Sequence, residues 1–127
     1  MDFETKRLPV ARDVVAPDGS DVRVLLGLDH GGLAHFELGP DRTSHALTHR
    51  TVEEIWFVLR GRGEMWRKQG EREEVVPLEQ GVCVSIPSGT WFQFRSFGYE
   101  PLTVVAVTMP PWPGEGEAYE VEGIWPF

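Results

Sequence analysis

Apolar and polar positions alternate with a period of two along most of the chain, and no stretch of helical length carries an apolar period of 3.6 residues. "DVRVLLGL" (Asp21–Leu28), "LAHFEL" (Leu33–Leu38), "EIWFVLRG" (Glu54–Gly61), "EMWRK", "EREEVVPL", "VCVSIP", "WFQFRS" and "LTVVAVTM" (Leu102–Met109) each have strand length and strand composition. Turn-forming residues separate them: Gly31–Gly32, "GPDRTS", Gly61–Gly63, "EQG" and "SGT". The pattern predicts about nine short strands at regular spacing, an all-β sandwich or barrel. Closing the sheet would protect strand edges that a small β protein must manage. Most Trp and Phe residues in these runs are read as core filling.

The ends of the chain break the pattern. "PPWPGEGEAYEVEGIWPF" (residues 110–127) holds four of the ten prolines and cannot be a central strand. It also carries Trp112, Tyr119, Ile124, Trp125 and Phe127, more aromatic surface than a disordered tail keeps. An ordered, extended arm across the barrel or onto a partner subunit is expected. A similar N-terminal arm is expected up to about Asp18, leaving a barrel core of residues 21–109. The 127 residues suit one domain, 1–127, with no internal repeat.

Charge narrows the partners. Twenty acidic residues against twelve basic ones give a net charge of −8, and no basic stripe is present. Such a surface repels phosphate backbones and anionic lipid heads, so neither nucleic acid nor a membrane is an expected partner. No apolar stretch reaches membrane-spanning length, and "MDFETKRLPV" has no signal-peptide core. The single cysteine, Cys83, cannot form an internal disulfide and is expected to be a buried, inert thiol. A cytoplasmic protein is the expectation.

Candidate chemistry concentrates in "SHALTHRTVEEIWFVLRG" (Ser44–Gly61), with His45, His49, Glu53 and Glu54. Residues two apart on a strand point the same way about 6.6 Å apart, close enough for imidazoles to meet on one ion at about 2.1 Å. His45 and His49 are four apart, which is roughly 13 Å along a strand. They share an ion only across a bulge, and the residue two before His49 is Leu47. Glu53 should face solvent. His49 and Glu54 are expected to hydrogen-bond each other inside the barrel, or to act as an acid–base pair in which the carboxylate raises the imidazole pKa. His45 is read as a loop residue at the barrel mouth, His30 as a turn residue and His35 as exposed.

The same stretch resembles the first motif of the cupin superfamily, glycine-x5-His-x-His-x3 or x4-Glu-x6-glycine. Gly39 and His45 fit its opening; His49, Glu54 and Gly61 fit its end; the two halves are two residues out of step. The second cupin motif, glycine-x5-Pro-x-glycine-x2-His-x3-Asn, is met by Gly81, Pro87 and Gly89, with Phe92 at the His position and Ser96 at the Asn position. Gln93, beside Phe92, alternates to the other face. The resemblance spans roughly Leu33 to Met109 and implies a double-stranded β-helix, or jelly-roll barrel. It also implies a homodimer. Of its usual ligand positions only His49 and Glu54 are kept, so no firmly bound cofactor is expected. A divalent metal, if present, would be held by His49, Glu54 and His45, a two-His, one-carboxylate set.

Parity then sketches the lumen. Trp56 and Val58 share the face of Glu54; Phe94 and Ser96 share that of Phe92. With Leu47 and His45 they predict an apolar, aromatic pocket with few polar atoms, suited to a small-molecule ligand. The resemblance points to a binder or a metal-free acid–base isomerase, epimerase or cyclase. Two alternatives are a metal-dependent oxygenase or isomerase with a reduced ligand set, and a non-enzymatic ligand sensor or assembly module.

Overall fold

The computed structural model describes residues 2–127. Eleven strands form, in chain order β1 (Val14–Val15), β2 (Asp21–Leu28), β3 (Gly31–Leu38), β4 (Leu47–His49), β5 (Glu53–Arg60), β6 (Arg62–Gln69), β7 (Arg72–Glu79), β8 (Cys83–Ile86), β9 (Trp91–Phe97), β10 (Leu102–Met109) and β11 (Ala118–Glu120). Every run read as a strand from its alternation is one. Two short strands, β1 and β11, lie in segments read as arms.

The strands make two antiparallel sheets, ordered β1-β2-β3-β10-β5-β8 and β11-β4-β9-β6-β7. Their inner faces close over one another as a double-stranded β-helix. Alternation decides what lies inside: along β5, Glu54, Trp56 and Val58 are buried while Glu53, Ile55 and Phe57 are exposed. The core comprises Leu38, Leu47, Trp56, Met65, Phe92, Phe94 and their neighbours. Trp56 organises it, meeting Phe36, Phe92 and Phe94 edge-to-face at 5.6, 6.3 and 4.9 Å between centroids. Close approach of β6 to β9 needs a residue without a side chain, and a Cβ on Gly63 would collide with the Arg95 carbonyl.

Both ends are ordered against the barrel. In the N-terminal segment, Pro9 and Val10 carbonyls accept from the Arg23 guanidinium, and Asp13 accepts the Val24 amide. The C-terminal segment leaves β10 through a cis Met109–Pro110 bond and adds β11 to the edge of the second sheet beside β4. Gln93 fastens the last residues of the arm. It points away from the lumen, as parity requires, yet is buried because the arm covers it. Its amide oxygen accepts from the Ile124 and Trp125 amides, and its NH2 donates to the Ser44 and Trp125 carbonyls. Gly123 permits this contact, since a Cβ there would strike both Gln93 and Ala46.

Two sequence expectations fail on the outer face of the first sheet. Cys83 is exposed, not buried, because β8 is an edge strand and register places Cys83 beside the outward-facing Phe57. His35 is buried, not exposed. It sits in register between Arg23 and Val105, and Arg23 is tied down by the N-terminal segment.

Candidate functional site

A cavity of about 400 Å³ opens between the sheets at the end formed by β2, β3 and β4. Its walls are mostly apolar: Val24, Ala34 and Phe36 on one side, Leu47 and Phe92 on the other, and Trp112 of the C-terminal arm at the edge. Four residues bring polar atoms: Asp18, His49, Glu54 and Thr108. Strand parity places Glu54 inward on β5; β4 is short, and all three of its residues are buried because β9 and β11 flank it.

Glu54 is 4 % exposed. Its Oε1 accepts the Trp56 indole N–H at 2.7 Å. Burial raises its pKa from 4.5 to about 7, against the pull of that hydrogen bond and with help from the nearby Asp18 charge. Asp18 is also buried, and desolvation raises its carboxyl although the Ser20 amide and hydroxyl both donate to Oδ1. His49 lies edge-on between Phe92 and Trp112, at 5.3 and 5.0 Å between ring centroids. Burial lowers its pKa, opposed by the Glu117 carboxylate and the Val52 backbone, and its Nδ1 has no hydrogen-bond partner. The imidazole is therefore neutral near pH 7.

The structure brings together His49, Glu54, Leu47 and Phe92 of the residues singled out in the sequence. His49 and Glu54 share the cavity without hydrogen-bonding each other, and the imidazole pKa moves down rather than up. Trp56 and Phe94 belong to the packed core below the cavity. Ser96 is spent on the loop before β4, accepting the Arg42 amide and donating to the Gly39 carbonyl. His45 does not face the cavity; its Nδ1 pairs with Glu120 at 2.8 Å, and its ring stacks on Phe127 at 4.0 Å. Sequence reasoning missed Asp18 and Thr108 as wall residues. It took Trp112 only as an arm residue. The "PDGS" turn around Asp18 and the aromatic within "PPWP" were the signals that could have found them.

The chain belongs to the cupin family: the model of the cupin domain matches residues 34–108. Among solved structures, it is similar to a protein with a double-stranded beta-helix domain from Klebsiella pneumoniae, at 20 % identity and a TM-score of 0.70, covering 94 % of this chain and 100 % of that one. It is also similar to Streptomyces PAC13 solved with uridine, at 14 % identity, a TM-score of 0.72 and coverage of 96 % and 95 %. The capsular polysaccharide assembling protein CapF from Staphylococcus aureus matches at 17 % identity and a TM-score of 0.72, over 91 % of this chain and 35 % of CapF. These likenesses concern the fold. No curated protein matches the chain in sequence.

Members of this family can hold a metal between the sheets, and the residues here do not fit one. Leu47 and Phe92 face each other in register, each almost fully buried, where donors would be needed. Glu54 already accepts from Trp56, and His45, the third ligand offered by the sequence, is turned to Glu120. Among the described residues, no group of three or more His, Cys, Asp or Glu side chains is placed to hold an ion.

Proposed function

We propose that the cavity binds a small, largely apolar molecule, and that Glu54 and His49 are its working polar groups. The observation that carries this reading is the combination of about 400 Å³ of apolar space with a buried carboxyl whose pKa lies near 7. A carboxyl at that pKa gives or takes a proton equally well at neutral pH, and a neutral imidazole beside it can accept one. The site therefore supports acid–base chemistry, an isomerisation or cyclisation, on a ligand that binds first. PAC13, a neighbour in fold, was solved with uridine, itself a small molecule.

Titration with the neutral fluorophore N-phenyl-1-naphthylamine tests this. Emission should rise and saturate with the wild-type chain. It should be lost in Ala34→Phe, which fills the cavity from β3, provided that variant melts cooperatively. Saturable binding that ignores Ala34→Phe would place the ligand elsewhere and refute the reading.

We further propose a homodimer in a reducing, cytoplasmic setting. Ile55, Phe57 and Leu59 stand exposed on one face of the first sheet beside the free thiol of Cys83, an apolar patch of the kind that a second copy covers.

A further inference from the structure

The cavity offers hydrogen-bond acceptors in excess of donors, and that imbalance selects a ligand class. Oε1 of Glu54 is occupied by the Trp56 indole and Oδ1 of Asp18 by Ser20, but Oε2 of Glu54 and Oδ2 of Asp18 accept no hydrogen bond from the protein. His49, 4 % exposed, lines the same cavity. Among the described residues, no Lys or Arg lines the cavity beside the two carboxyl groups. The titratable groups behind them are His45 near Asp18, its Nδ1 paired with Glu120, and Glu117 near His49. Oε2 of Glu54 and Oδ2 of Asp18 are thus free to accept from a ligand's donors.

We propose that the ligand of this cavity is an amine: an apolar, ring-bearing body carrying one ammonium group that lies between Glu54 and Asp18. This rests on the reading of the cavity as a ligand site and adds the ligand's chemistry. The ammonium supplies positive charge and a donor for each of the two free carboxyl oxygens. The aromatic walls reinforce the choice, since Phe36, Phe92 and Trp112 can receive the ring and the flank of a cation. An anionic ligand would meet two carboxyl groups and no Lys or Arg. A polyol would leave most of its hydroxyls against apolar walls, unpaired.

Three indoles of nearly equal size serve as competitors against bound N-phenyl-1-naphthylamine at pH 8: tryptamine, tryptophol and indole-3-acetate. The expected result is displacement by tryptamine at concentrations about tenfold below those needed for tryptophol, with indole-3-acetate weakest. In Glu54→Gln and in Asp18→Asn the gap between amine and alcohol should narrow to about threefold or less. If one variant fails to melt cooperatively, the other and the wild-type ranking decide. Tryptophol or indole-3-acetate equal to tryptamine, with the fluorophore bound, would overturn the amine and leave the ligand site standing. Failure of the fluorophore to bind the wild-type chain would overturn both.

Discussion

At the scale of single residues, Glu54 has the most to reveal. Its folded pKa of about 7 lies above the unfolded 4.5, so between those values the native chain keeps a proton that the unfolded chain has lost. Stability therefore falls as pH rises through that window, by about 3 kcal/mol once the group is ionised in both states. Glu54→Gln keeps an acceptor for Trp56 and removes the titration. Chemical denaturation of both proteins should show the variant gaining on wild type from pH 5 to pH 8. Parallel curves would mean an unshifted carboxyl. Asp18, also raised, adds to the same trend. His49 has the opposite sign: its folded pKa is depressed, so the stability it carries is present above pH 6.5 and is lost as pH falls from 6.5 toward the folded value. Replacing His49 with Phe should flatten the acid limb, read by the same denaturation series. Parity identified Glu54, Trp56 and Phe92 as inward-facing, because side chains alternate strictly. It could not tell depth along the barrel, which is why Trp56 and Phe94 fill the core while only Phe92 reaches the cavity.

Among the elements, the C-terminal arm does two things. It seals the outer face of β9 through Gln93, and it brings Trp112 to the edge of the cavity. Gln93→Ala strands two arm amides and two carbonyls, and should cost about 2–3 kcal/mol by denaturant unfolding. It should also expose residues 110–127 to proteases before the barrel unfolds; an arm still protected would show that other contacts hold it. Trp112→Ala removes one wall and should speed release of bound fluorophore in stopped-flow dissociation with little change in stability. An unchanged release rate would take Trp112 out of the entrance. The arm's order was legible in its aromatic content, but its docking was not. Gln93, Gly123 and Ala46 meet only through long-range closure that no local pattern encodes. Burial of His35 and exposure of Cys83 were misread for a related reason: both depend on what crosses or fails to cross an outer sheet face.

For the whole molecule, the fold was readable because strand alternation and the glycines and proline of two spaced motifs agree with each other. Two motif positions without donors were legible too, since Leu47 and Phe92 stand there and pair in register. Half of the cavity's polar content, Asp18 and Thr108, was not readable, because Asp18 comes from the turn before β2 and Thr108 from β10, distant in sequence from Glu54. The exposed apolar face of β5 predicts two chains in solution by light scattering, and Ile55→Glu with Phe57→Glu should give one; a wild-type mass of one chain would end the dimer. The central claim is that the space between the sheets takes a small molecule against Glu54 and His49. A crystal structure of the wild-type chain with N-phenyl-1-naphthylamine bears on it most directly. The fluorophore should lie against Phe36 and Phe92, with its N–H directed at Glu54. Density for it only on the outer face of the first sheet, with the interior closed or filled by side chains, would contradict the claim.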